Sequence, residues 1–118
     1  MHIPIKTTNI ELTDALRDYV EKKLGTLEKI IGSDGIVHVE IGKPSQHHQK
    51  GDVFKAEART RFQGKQKYVS VERADMYTAI DDLEIAFKEA LVSEKTKMRD
   101  RVRRGAKHVK DIIRGWLK

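Results

Sequence analysis

The sequence predicts an α+β fold of two layers, β-α-β-β-β-α in chain order, with a four-stranded sheet and both helices on one of its faces. Three observations carry that expectation. Four short stretches alternate apolar and polar residues, which leaves each strand one dry and one wet face. Two longer stretches repeat their apolar residues at helical spacing, which gives each helix a single buried stripe. Turn-forming clusters at Gly32-Ser33-Asp34-Gly35 and at Gly64 separate the periodic segments. With one apolar face per strand and one stripe per helix, laying both helices on the dry face of a single sheet buries all of them together.

The first strand is read over His2 to Thr7, where Ile3 and Ile5 alternate with polar neighbours and Pro4 suits a position near a sheet edge. Thr13 then caps a helix that reaches about Ile31, with Asp14 and Asp18 early, where carboxylates suit the positive end of the helix dipole. Its stripe is Leu12, Leu16, Tyr19, Val20, Leu24, Leu27 and Ile31. On the far side Lys22 and Lys29 share a face, and Lys23 sits at the stripe's margin as a snorkelling lysine.

Val37, Val39 and Ile41 alternate with His38 and Glu40 in the next strand, and residues 43–51 form a polar loop. Phe54, Ala56, Ala58 and Phe62 then point inward against Lys55, Glu57, Arg59 and Arg61, and after the Gly64 hairpin residues 65–74 return with Val69 and Val71 inward. These three strands make an antiparallel meander, and Ala56 and Ala58 let the helices sit close. The opposite face carries mixed charge, Lys55, Arg59 and Arg61 against Glu57 and Glu72, and is expected to be a solvated surface with a minor role in binding.

Asp75 caps the second helix, whose stripe is Met76, Ile80, Leu83, Phe87, Ala90, Leu91 and Met98. Tyr77 lies beside the stripe as a structural residue, on an edge row shared with Lys88, Lys95 and Arg99. Beyond Val92 the stripe thins while Lys97, Arg101, Arg103 and Arg104 crowd in, so the first half packs and the second half projects. Residues 1–104 read as one domain and residues 105–118 as a basic and apolar C-terminal tail. Gly105 weakens the helix there, and Ile112, Ile113, Trp116 and Leu117 form either a short docked helix or a mobile tail.

Of the 118 residues, 24 are Lys or Arg and 18 are Asp or Glu, and the excess of +6 is the sum of +7 from residues 94–118 and −1 from residues 1–93. A basic segment on a balanced domain is the footprint of a polyanion partner. With no cysteine there is neither a disulfide framework nor a thiol nucleophile. No apolar run approaches the roughly 18 residues of a membrane span, and a cytoplasmic protein that is monomeric when free is expected. His38, His47 and His48 are the one grouping that invites a metal, but adjacent histidines point apart and a polar loop is the better account. No phosphate loop, serine elbow or catalytic dyad is present, which points to a binding protein without cofactor or small-molecule substrate. Few aromatics and clustered cations favour recognition of folded RNA through its phosphates. The residues expected to carry that recognition are Lys22, Lys23, Lys29, Lys88, Lys95, Lys97, Arg99, Arg101, Arg103 and Arg104.

Three stretches sharpen this expectation: Ile10-Glu11-Leu12-Thr13-Asp14-Ala15-Leu16-Arg17, Lys23-Leu24-Gly25-Thr26-Leu27-Glu28-Lys29 and Asp75-Met76-Tyr77-Thr78-Ala79-Ile80-Asp81. Together they resemble the ribosome hibernation-promoting factors, also called ribosome-associated inhibitors or sigma-factor modulation proteins, over roughly residues 2–104. The resemblance implies the topology of a double-stranded-RNA-binding domain. It also implies a non-enzymatic factor that settles in the small-subunit channel, contacts ribosomal RNA and blocks messenger and transfer RNA sites. Lys23, Lys29, Lys95 and Lys97 match basic positions of the family, whereas Ala86, Glu89 and Ser93 stand where relatives often carry Lys or Arg. Longer members continue into a second domain that pairs ribosomes, so this chain reads as a short form. The competing reading is a protein-interaction module whose basic tail binds an acidic partner or a transcription factor.

Overall fold

A computed structural model describes residues 1–44 and 53–116, with side chains described through residue 104. The chain runs β1 (Ile5–Thr8), α1 (Asp14–Leu24), a 3-10 turn (Gly25–Leu27), α2 (Glu28–Ile31), β2 (His38–Gly42), β3 (Phe54–Phe62), β4 (Lys65–Arg73) and α3 (Met76–Trp116). The strands lie in the order β1-β2-β3-β4. β1 is parallel to β2, because α1 carries the chain back across the sheet before β2 begins. The remaining pairs are antiparallel, as a meander requires.

The first strand is shorter than its alternation predicts and starts at Ile5 rather than His2. Pro4 has no N–H to give the ladder. Pairing nevertheless persists on both sides of it, since the His2 carbonyl accepts from Val37 N–H and the Pro4 carbonyl from Val39 N–H, each at 2.9 Å. At the other end of β1 the two strands come very close: a β-carbon on Gly42 would lie 2.0 Å from the Thr8 carbonyl oxygen. Only glycine fits there.

The first helix is also not the single rod that its periodicity predicts. Thr13 caps it, accepting from Leu16 N–H at 3.1 Å. At the C-terminal end the Thr26 hydroxyl donates to the Lys23 carbonyl at 2.8 Å, a local bond that competes with the helical ladder. The chain tightens into the 3-10 turn there and still delivers Leu27 fully buried. Gly32, at φ 100°, ends α2 in a conformation that disfavours other residues. The β3–β4 connection is two residues long, with Gln63 at φ 52° and Gly64 at φ 78°, the two positive dihedrals of a primed hairpin turn.

Both helices pack on one face of the sheet. Val20, Leu24 and Leu27 from the first helical arm meet Val37, Val39, Ile41, Ala56 and Ala58 from the strands and Met76, Ala79, Ile80, Leu83, Phe87 and Leu91 from α3. Asp75 caps α3 through Thr78 N–H at 3.0 Å. The stripe differs from the expected one at four positions. Ala79 joins the core, Ala90 and Met98 are only half-buried, and among the described side chains the last fully enclosed position belongs to Glu94, 1 % exposed. Beyond it the helix continues through Gly105 to Trp116, 41 residues in all and about 60 Å long at the usual rise. The division into residues 1–104 and 105–118 falls inside this helix, and the side chains of Ile112, Ile113 and Trp116, with Leu117, lie outside the described residues. Among the described residues no helix is long and apolar enough to cross a membrane.

Candidate nucleic-acid interface

The basic residues are arranged by the packing of α1 against α3. The rings of Tyr19 and Tyr77 meet edge to face, centroids 4.8 Å apart and planes at 80°. The Tyr19 hydroxyl donates to Asp81 Oδ1 at 2.5 Å, Lys23 Nζ lies 3.4 Å from the same oxygen, and the Thr26 hydroxyl donates to Glu84 at 3.2 Å. Stabilised by the bond to Asp81, and further by burial, the Tyr19 phenol is pushed up to about 12. Lys23 is therefore more than a snorkelling lysine: its ammonium is paired with Asp81 and stands 5.7 Å from the centre of the Tyr19 ring. The partners advance together, from Tyr19 and Tyr77 to Thr26 and Glu84, so the two helices run in the same direction.

Along α3 the row that meets α1, namely Tyr77, Asp81 and Glu84, continues in helical steps through Lys88, Lys95 and Arg99. All three cations are exposed, and so are Lys22 and Lys29 near the end of the first helical arm. Because the helices are parallel, that end of the arm lies towards the start of the cationic row. The remaining expected residues are not on this row. At 100° per residue Lys97, Arg101 and Arg104 sit roughly 160–220° around the helix from Lys88, and Arg103 lies between the two flanks. Ala86 and Ser93 occupy the Lys97 flank, so positive charge starts there only at Lys97, whereas the other row starts at Lys88. Of the ten residues, three lie on the first helical arm and seven on α3, where Lys88, Lys95 and Arg99 form one flank and Lys97, Arg101 and Arg104 the other, and the arm faces only the first of these flanks.

Glu94 is the functional-looking residue that sequence reasoning missed. Lys67 donates to its Oε2 at 2.9 Å and Lys65 Nζ lies 3.2 Å from its Oε1. The two ammonium groups hold the carboxyl at about 2, well below the ordinary carboxylate range. A signal was present: Lys65 and Lys67 have the same strand parity as inward Val69 and Val71, and Glu94 follows Phe87 and Leu91 at helical spacing. Two lysines and a carboxylate sharing the dry face are a complementary set.

On the open sheet face the ion pair described between Lys55 and Glu57 lies within one strand rather than across two. Lys55 reaches Glu57 on its own strand at 3.1 Å, and the Tyr68 hydroxyl donates to Glu57 at 2.5 Å. Burial raises the Glu57 carboxyl, but these two donors outweigh it and leave it below its ordinary value. Glu40 accepts from Thr8 at 2.8 Å. His38 is exposed on this face, while His47 and His48 lie outside the described residues, among which no three side chains of metal-ligand type gather.

Comparison with known proteins supplies an independent constraint. A profile described as sigma 54 modulation protein / S30EA ribosomal protein matches residues 3–99. A ribosome hibernation promoting factor of Azotobacter vinelandii is 33% identical over 101 residues, covering 86% of this chain and 89% of that protein. The factor of the same name from Escherichia coli strain K12 is 29% identical over 99 residues, 84% of this chain and 98% of its own length. In structure, the chain is similar to the N-terminal domain of Thermus thermophilus Protein Y, with TM-score 0.65, 30% identity and coverage of 77% and 96% of the two chains. A ribosomal subunit interface protein from Coxiella burnetii shares the fold at TM-score 0.66 and 23% identity, over 81% of this chain and 99% of that one.

Proposed function

The chain belongs to the sigma 54 modulation protein / S30EA ribosomal protein family, and from that premise we propose that it is a ribosome hibernation factor acting in the cytoplasm. In this reading it binds the small ribosomal subunit, meets ribosomal RNA in the decoding channel and blocks messenger and transfer RNA sites, with no chemical step of its own. One observation carries the proposal. The helix that completes the core runs on past it with Lys88, Lys95 and Arg99 exposed on the row that faces the lysines of the first arm. Cations on two parallel helices can reach neighbouring phosphates of one RNA groove, whose A-form shape is read without base contacts.

The test is small-subunit binding measured across salt concentration for the parent and for Lys95→Ala/Lys97→Ala/Arg99→Ala. Removing one cation that neutralises a phosphate lowers the slope of log affinity against log salt by about 0.7 to 0.9. The triple variant is expected to bind more weakly at moderate salt and to flatten the slope by about two units. An unaltered affinity and slope would remove this face from the mechanism. If the protein fails to co-sediment with small subunits at all, the protein-interaction reading takes its place.

A further inference from the structure

The open face of the sheet is polarised, and its cationic end is left over from every interaction described above. Successive cross-strand rows make this visible. Gly42, Lys55 and Glu72 form one row, Glu40, Glu57 and Ser70 the next, then His38, Arg59 and Tyr68, and finally Arg61 beside Gln66. Both carboxylates of the second row are occupied, Glu40 by Thr8 and Glu57 by Lys55 and Tyr68. Neither Arg59 nor Arg61 forms a hydrogen bond or ion pair among the described residues, although the Arg59 charge lies close enough to help lower the Glu57 carboxyl, and both are exposed. The surface there is concave: one hollow is lined by Lys6, His38, Arg59 and Tyr68 with the two glutamates, and an adjoining one by Asp34, Ile36, Arg59, Arg61 and Gln66. Asp34, in the turn before β2, is the one acid at this end.

We propose that this end of the sheet, Arg59 and Arg61 with His38 beside them, is a second phosphate-binding surface for RNA, on the opposite side of the molecule from the helices. The proposal rests on the ribosome-binding reading and extends it: one molecule touches two RNA segments, one on each face. Two guanidiniums two residues apart on a strand project side by side from the same face, and each offers the planar fork that suits phosphate. RNA is favoured over an acidic peptide because the exposed partners in the row are an imidazole and a phenol ring, groups that also meet nucleotides by stacking. Tyr68 is 55% exposed while its hydroxyl is tied to Glu57, so its ring is displayed in a fixed place.

The experiment compares binding to purified small subunits, across salt, for Arg59→Ala/Arg61→Ala and for a charge-matched control outside both proposed surfaces, Arg17→Ala/Lys55→Ala. The arginine pair is expected to lose about tenfold in affinity at moderate salt, with a slope lower by somewhat more than one unit. The control pair should stay within about threefold, the shift expected from removing two charges that touch no phosphate. Equal losses for the two pairs, or no loss for the arginines, would overturn the inference. If the helix variant Lys95→Ala/Lys97→Ala/Arg99→Ala weakens binding while the arginine pair does not, only this inference fails. If the parent protein does not bind small subunits at all, the functional reading itself fails. A photo-crosslinking residue in place of Tyr68 identifies the neighbour: capture of ribosomal RNA supports the proposal, and capture of a protein alone overturns it.

Discussion

Asp81 illustrates how one side chain can do two opposed things. As a carboxylate next to the cationic row it repels phosphate, yet it also accepts from Tyr19 and fixes the Lys23 ammonium at the helix junction. The signs separate the two roles. Asp81→Asn raises the net charge by one, so by charge alone it should tighten RNA binding. If its holding of Lys23 matters more, binding weakens by about threefold to tenfold, and the effect disappears in a Lys23→Ala background. We expect weakening, measured as subunit affinity with the fold checked by circular dichroism. Glu94 gives a pH prediction. Its folded value near 2 lies below the ordinary value of 4.5, so its ion pairs stabilise the fold fully above about pH 4.5. That contribution is lost as pH falls towards 2. Glu94→Gln, which cannot ionise, should melt several degrees below the parent at neutral pH, and the gap should close over the same acid interval. A gap that stays constant down to pH 2 would assign the loss to packing alone.

At the scale of elements, much of the fold can be read from the sequence because each alternation and stripe has a single physical solution. Thr13 and Asp75 are readable as caps, and both accept from the backbone N–H three residues on. The break at Gly25–Leu27 is not readable, because Thr26 suits a helix surface until its hydroxyl finds the Lys23 carbonyl. Nor can the candidate site be sorted into two flanks before the packing against α1 fixes which flank faces it. Glu94 misleads for a related reason: a charge on a stripe reads as the stripe's end unless its partners on another element are known. The long helix supports a prediction of its own. From Lys95 it continues to Trp116 with no fully buried side chain among residues 95–104, and helix not covered by packing is marginal in water. Gly105 sits within that stretch and costs about 1 kcal/mol relative to alanine. Gly105→Ala should raise the helical signal at 222 nm and slow amide exchange in residues 97–104, without moving the exchange of residues 80–91. Unchanged exchange in residues 97–104 would mean that the extension is held by something other than its own propensity.

For the whole molecule, the distribution of charge matters more than its total. A nearly neutral body, −1 over residues 1–93, carries an arm of +7 over residues 94–118. Such an asymmetry turns the molecule in the field of a polyanion before the two touch, with the arm leading. The open sheet face is less charged but polarised along its strands, which gives the body an orientation of its own. The point where the core closes has a further consequence in time. Among the described side chains Glu94 is the last enclosed position, so every described core residue is made before the basic extension. At 5–20 residues per second, the 24 residues after it take about one to five seconds. A factor proposed to act on ribosomes therefore carries Lys22, Lys29, Lys88 and the sheet arginines before Lys95 and Arg99 are made, so its grip on RNA grows as the basic extension is added.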